Sequence, residues 1–425
     1  LGIEGNIMKK RILVRAPFLT QSGYGEHSRF VIRALKSRED IFDIYLEPLN
    51  WGQTAWISKK NEENNWFNKK IQKTAMYVRD RPQFDISIQV TIPNEWEKLA
   101  PINIGVTAGI ETTKVAPLWI EKANLMDKVI VVSEHARKGF DTVYIGTNNK
   151  TGEKKEIKCE VPMEIIGYPV RDYKPANIDL DFKHDFNYLV MAQWSARKNI
   201  ENTIRWFIEE NYDEKVGLVL KTSSRNGSLG DREKTEENIK NILEEHKERE
   251  CSVYLLHGTM EPEEISALFK HPKIKACIGL AHGEGFGLPL YEAAYNSIPV
   301  ITPGWGGPCD FLYIPQANGK MKAFFADVNY DIAPVQKEAH WKDVIVPESM
   351  WCFPHQGSYK MRVRQVRKNY PKWKKKAENL ATYLKENFSS EKQYKKFVDA
   401  VYQESEIDRE VDQMFAKLMN EQRVR

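Results

Sequence analysis

Short apolar runs alternate with longer amphipathic stretches through most of this chain, and no other feature narrows its fold as much. RILVRA (11–16), IFDIYLE (41–47), FDISIQV (84–90), INIGV (102–106), KVIVV (128–132) and MEIIG (163–167) read as strands. After the first, TQSGYGEHSRFVIRALK supplies a glycine-bearing loop and a helix whose Phe30, Val31, Ala34 and Leu35 share one stripe. Strand, loop and helix repeated in this way predict an α/β fold, a parallel sheet covered by helices. The pattern lapses at GYPVRDYKPANIDLDFKHD (167–185), which is rich in Pro and Asp and reads as a linker. It restarts with NYLVMAQ (187–193), VGLVLKT (216–222), SVYLLHG (252–258), KACIGL (275–280) and IPVIT (298–302). From about residue 369 the chain is helical and charged. Two Rossmann-like domains in tandem follow, over 1–172 and 173–385, with residues 386–425 as helices packing back on the first domain.

A chain of 425 residues has room for two or three such domains. Its formal charge of +4 gives no large bias toward nucleic acid, and no nucleic-acid partner is expected. The five cysteines show neither CxxC nor Cys/His metal spacing, which suits reduced thiols in a cytoplasmic enzyme. No apolar run approaches the roughly 20 residues of a membrane-spanning helix. The opening LGIEGNIMKKRILV has too short an apolar region for a signal peptide. Met8 is a natural start, with residues 1–7 either an appended remnant or an upstream extension.

The densest chemistry lies in HGEGFGLPLYEAAYNSIPVITPGWGG (282–307). Pro289 suits the first position of a helix, where its missing N–H costs nothing. That expectation puts Glu284 in a glycine loop and Glu292 in the helix's first turn. The glycines would let backbone approach a ligand, free amides at the helix start can bind a phosphate, and carboxylates accept paired hydrogen bonds from sugar hydroxyls. One loop and helix would thus hold two polyols joined by phosphate, the form of a nucleotide-sugar.

These residues resemble the E-x7-E motif of retaining GT-B glycosyltransferases of the family 4 type. VMAQWSARKNIENTI resembles the segment that carries that family's diphosphate-binding Arg and Lys. LLHGTMEPEEISALFK, with Met260, resembles the segment beneath the nucleotide base, and DKVIVVSEHARKGF with EIIGYPVRDYKP resembles the end of the N-terminal domain. The resemblance implies the GT-B architecture, two Rossmann-like domains whose parallel sheets face each other across a cleft, with C-terminal helices crossing back. It also implies an NDP-sugar donor, a carbohydrate, lipid-linked or other hydroxyl acceptor, and front-face transfer with retention. Glu284 would contact the donor sugar and Glu292 the ribose, assisted by amides near Phe286, Gly287 and Leu288. The family lysine falls on Lys198. The family arginine falls on Gln193, a departure, with Arg197 as its substitute. Gly23 and Gly25 of SGYG match the loop that approaches diphosphate and acceptor. The family's N-domain histidine has no equivalent in VTAGIETTK, where Glu111 is the nearest polar candidate.

Each feature has a plainer reading. Glu284 and Glu292 could lie on a solvated turn, Lys198 on the surface, and Gly23 and Gly25 in a tight strand-to-helix turn. His27 and His135 read as surface or packing residues, and the tryptophans of EPLNWGQTAW (47–56) first as core and second as a sugar platform. DLD (179–181) imitates a metal-binding DxD, but it sits in the linker, so no metal and no bound cofactor are expected. The basic run KMRVRQVRKNYPKWKKK (360–376) reads first as a solvated face with counter-charges, and second as a weak contact with the inner membrane surface. The rival functions are a nucleotide-sugar epimerase and a non-catalytic glycan or nucleotide binder. An NAD dehydrogenase lacks its GxGxxG.

Overall fold

The computed structural model describes residues 9–52, 54–57, 60–80, 83–147 and 152–403. Residues 1–8 and the helix expected beyond residue 403 lie outside this set, so the start at Met8 and the end of the terminal segment are not described. Two six-stranded parallel sheets form the frame. The first contains β1 (Lys10–Ala16), β2 (Phe42–Pro48), β3 (Ile86–Val90), β4 (Ile102–Thr107) and β5 (Lys128–Val131). A hairpin of β6 (Tyr144–Thr147) and β7 (Lys154–Ile157) then precedes its last strand, β8 (Met163–Ile165). Its order is β2-β1-β3-β4-β5-β8. The second sheet contains β9 (Asn187–Met191), β10 (Gly217–Lys221), β11 (Ser252–Leu256), β12 (Ile274–Ile278) and β13 (Val300–Pro303). After the hairpin β14 (Tyr313–Pro315) and β15 (Met321–Ala323) it closes with β16 (Ala326–Val328), in the order β11-β10-β9-β12-β13-β16. A hairpin of β17 (Tyr330–Pro334) and β18 (Met350–Pro354) follows.

Both orders reverse once, between β1 and β3 in the first sheet and between β9 and β12 in the second. Loops on either side of a reversal leave in opposite directions and open a crevice at the carboxyl ends of the strands. Eleven expected strands fall on β1–β5, β8 and β9–β13. β16 and the hairpin strands went unread; most are three or four residues long, too short to show a period, although β18 is a five-residue apolar run.

Residues 166–186 form no helix or strand and join the two sheets. The helix Tyr370–Asn387 lies on the helix Leu288–Tyr295 of the second domain, where Lys374 Nζ donates to Ser297 O at 2.8 Å. The chain then turns at Ser389, whose side chain caps the helix Ser390–Val401. That helix crosses to the first domain. Its Tyr394 and Phe397 rings sit 6.0 and 5.7 Å from Phe30, and Lys128 Nζ reaches Ala400 O at 2.7 Å. In the basic run, Lys360, Arg364 and Arg367 pair with Glu209, Glu210 and Glu214, as a counter-charged face should.

Candidate active site

Both reversals open onto one cleft of about 1120 Å³ between the domains. Loops after β1, β4, β9 and β12 meet there. After β9 the chain makes one 3-10 turn, Ala196–Lys198, and Asn199 adopts left-handed backbone (φ 53°) before the helix Ile200–Asn211 begins. The turn swings Arg197 and Lys198 toward the β12 loop, and His282 N donates to Arg197 O at 2.8 Å.

The three residues expected to act in catalysis are brought together with Arg197. Lys198 Nζ donates to Glu284 Oε1 at 2.5 Å, and Arg197 Nη1 lies 3.4 Å from Glu284 Oε2. Arg197 also donates to Gly283 O at 2.7 Å and lies 3.4 Å from Glu111 Oε1 of the first domain. Two cations therefore face two carboxylates across the domain boundary. Burial works against the Glu284 charge, but Lys198 and Arg197 more than offset it and hold the carboxyl below its ordinary range. Gln193 takes no part. It is exposed and donates to Ser224 O at 3.1 Å, and it lines the cleft as Met260 does.

Glu292 differs from its expected position. The helix Leu288–Tyr295 begins at Leu288, so Pro289 is its second residue and Glu292 its fifth, in the second turn rather than the first. Gly287, at φ 92°, supplies the left-handed residue that reverses the chain into the helix. The amides of Phe286, Gly287 and Leu288 have no hydrogen-bond acceptor among the described residues. Phe286 itself is buried against Tyr168, Tyr291 and Phe311, which fixes the loop. The Glu292 carboxyl likewise has no hydrogen-bond partner among the described residues. It keeps one accessible face on the cleft and is otherwise enclosed by protein. Burial, with Glu26 adding to it and Arg171 opposing, pushes its pKa up to about 8. Glu26 takes the opposite course. Burial disfavours its charge, but Arg171, Arg29 and Arg33 hold it down to about 2.

The glycines divide by role. A Cβ on Gly283 would come within 1.9 Å of Glu111 O, and one on Gly285 within 2.3 Å of Ala108 O. These two let the domains approach each other, rather than a ligand as expected. Ser133 Oγ adds a 2.6 Å hydrogen bond to Gly285 O at the same seam. Gly25 belongs to the tight turn, since a Cβ there would lie 2.0 Å from Thr20 O. Gly23 opens the helix Gly23–Lys36, has nothing near it and lines the cleft.

Sequence reasoning missed several cleft residues. Tyr24 sits between the two glycines that were chosen, and its hydroxyl bonds Thr107 Oγ1 at 2.8 Å. Trp51, read first as core and second as a sugar platform, lies in the cleft with its ring 4.3 Å from Tyr24, and Trp56 is exposed. Arg171 lies in the linker and pairs with Glu26. The only sequence signal for these was the Tyr within SGYG and the tryptophan pair. His27 is buried, and His135 is half-buried with its ring 4.8 Å from Trp305, as packing residues are. Asp179 and Asp181 of DLD are exposed in the linker, and among the described residues no group of three or more His, Cys, Asp or Glu could hold a metal ion.

No protein-family model matches the sequence, and a search of curated proteins returns no match. Solved structures do match. Anabaena HepE, in complex with UDP-glucose, is 12% identical with TM-score 0.55, over 92% of this chain and 98% of that one. Sucrose-phosphate synthase from Thermosynechococcus elongatus is 12% identical with TM-score 0.53, over 97% and 100%. An E. coli trehalose-6-phosphate protein bound with UDP-2-fluoro glucose is 10% identical with TM-score 0.55, over 93% and 99%. The chain spans about half (55%) of S. aureus TarM, at TM-score 0.45, too loose a likeness to weigh. Two parallel sheets facing across one cleft, a terminal helix crossing back and full-length superposition on these proteins together give the conclusion that this chain has the GT-B fold.

Proposed function

We propose that the protein is a glycosyltransferase that moves a sugar from a nucleoside-diphosphate donor to an acceptor hydroxyl, with retention at the anomeric carbon. The observation that carries this reading is the cluster of Glu111, Arg197, Lys198 and Glu284, set where both reversals meet and flanked by the open amides of Phe286, Gly287 and Leu288. A diphosphate entering the cleft would compete with the two carboxylates for Arg197 and Lys198. Glu284, released from its cations, then accepts hydrogen bonds from the sugar. The cations and the amides face the charge that grows on the leaving diphosphate, which is transition-state stabilisation by groups already in place. Glu292 accepts from the ribose hydroxyls. The neighbours' UDP-sugar ligands favour this use of the fold.

Front-face transfer needs no protein nucleophile, and the leaving phosphate takes the acceptor's proton. The carboxylate placed to serve otherwise, Glu284, is tied to two cations, which weakens it as a nucleophile. Acceptor binding falls to the first domain and the facing rim of the second. The reaction is proposed to need no metal. Thermal-shift screening against UDP, GDP, ADP, CDP and dTDP identifies the base, because a ligand of the native state raises Tm. NMR of the product should then show retention. An inverted anomeric carbon would contradict the mechanism, and the absence of any nucleotide response would contradict the donor class.

A further inference from the structure

Beyond Glu111 a long excursion of the second domain lines the cleft, with Trp341, Val344 and Ile345 following the exposed Glu338. Between β17 and β18 the chain leaves its own sheet and reaches the first domain. Asn94 Nδ2 donates to Asp343 O at 2.9 Å. Thr113 N donates to Met350 O at 2.9 Å, and Met350 N returns the bond to Thr113 Oγ1 at 3.0 Å. A tight turn holds the tip. Trp341 and Ile345 exchange backbone hydrogen bonds of 2.8 and 3.2 Å, and Asp343 takes left-handed backbone at φ 60°. The excursion is thus fixed at both ends and at its tip.

These anchors set buried Ile110 and Trp351, and the accessible Ile92, Ile345 and Trp341, near the ion cluster. Thr113 is two residues from Glu111, and Ile110, next to Glu111, lines the cleft. Trp351 follows Met350, stacks on His282 at 5.0 Å and so stands two residues from Glu284. Ile92, Trp341 and Ile345 continue the same lining outward. Trp341 is 56% exposed, a large apolar ring left in water on the rim of a cleft. Exposed aromatic rings in such positions mark contact sites.

We infer that the acceptor carries a hydrophobic group beside its accepting hydroxyl, an alkyl or aryl aglycone, and that the wall of Ile92, Ile345 and Trp341 holds it. This rests on the transferase reading and names its acceptor class. A glycan would also stack on a tryptophan. Its ring-edge hydroxyls, however, would meet Ile92 and Ile345, which offer no partner, and a desolvated hydroxyl without a partner is costly. An alkyl or aryl chain needs no partner there. The rigid anchors spare the excursion from having to order itself on binding.

Alkyl glucosides test this without knowledge of the natural acceptor. The full chain is titrated with methyl, hexyl, heptyl and octyl β-glucoside below their micelle concentrations, with and without the nucleoside diphosphate that stabilises it most. Affinity should rise roughly two- to fourfold per added methylene. Trp341→Ala should weaken octyl glucoside binding by roughly tenfold, Trp341→Phe should recover most of it, and nucleotide affinity should not move in either variant. Affinity independent of chain length, an undiminished Trp341→Ala variant, or maltotriose binding more tightly than octyl glucoside would each overturn the inference. A flat chain-length series with intact nucleotide binding removes this inference alone. A steep series without any nucleotide binding keeps the hydrophobic site and removes the transferase reading.

Discussion

Glu284 and Glu292 stand eight positions apart in one loop and helix, yet the protein treats their charges in opposite ways. Glu284 is saturated, with Lys198 and Arg197 on its two oxygens and a pKa held down. Glu292 has no hydrogen-bond donor among the described residues and a pKa pushed up to about 8. A carboxylate that already has its cations is ready to exchange them, and one that lacks partners is ready to receive them. The first arrangement suits a site where a diphosphate arrives and the sugar must be held as it departs. The second suits a pair of ribose hydroxyls. The ligands proposed for the two glutamates thus follow from what each one lacks.

Breaking the Glu284 side should cost the most. Glu284→Gln keeps size and removes charge, and it should lower kcat/KM for transfer by about ten- to a thousandfold, roughly 1.4–4 kcal/mol of transition-state stabilisation. A variant with full turnover would take Glu284 out of the site.

The Glu292 side sharpens the contrast through pH. With a raised pKa, Glu292 is mainly protonated at pH 7, whereas two donating hydroxyls favour its charged form. Nucleotide binding should therefore release a proton. Affinity should climb as pH rises through about 8 and level off above, by up to about tenfold between pH 7 and 9. Calorimetry in buffers of different ionisation enthalpy measures the proton release, and Glu292→Gln should abolish it. An affinity that falls over that range would reverse the assignment. The smallest expected effect is none at all. Excess EDTA should leave transfer unchanged, and a loss restored by Mg²⁺ or Mn²⁺ would show that a carboxylate set was misjudged.

Much of the fold was legible because buried parallel strands write themselves as apolar runs, as β5 and β9 do. The family resemblance likewise pointed to Glu284 and Lys198, which lie together in the cleft. Other features are tertiary. Nothing local says that Gly283 and Gly285 face another domain's backbone rather than a ligand, because small size serves both purposes. Trp51 was taken for core because a tryptophan in a short apolar stretch usually is, and only the turn after β2 directs it into the cleft. The excursion before β18 has little periodicity to read, and its anchors at Asn94 and Thr113 lie more than two hundred residues away. The helix start was misjudged by one residue because Gly287, not Leu288, supplies the reversal.

The division of labour between the two glutamates is tested most directly by calorimetry with the preferred free nucleoside diphosphate on two folded variants. Glu292→Ala should weaken binding by roughly 1–3 kcal/mol, the range for hydrogen bonds to a charged group. Glu284→Gln should bind at least as well as the parent protein, because the free nucleotide lacks the sugar and no longer competes with the Glu284 carboxylate for Lys198 and Arg197. Unchanged affinity in Glu292→Ala together with a large loss in Glu284→Gln would contradict the account.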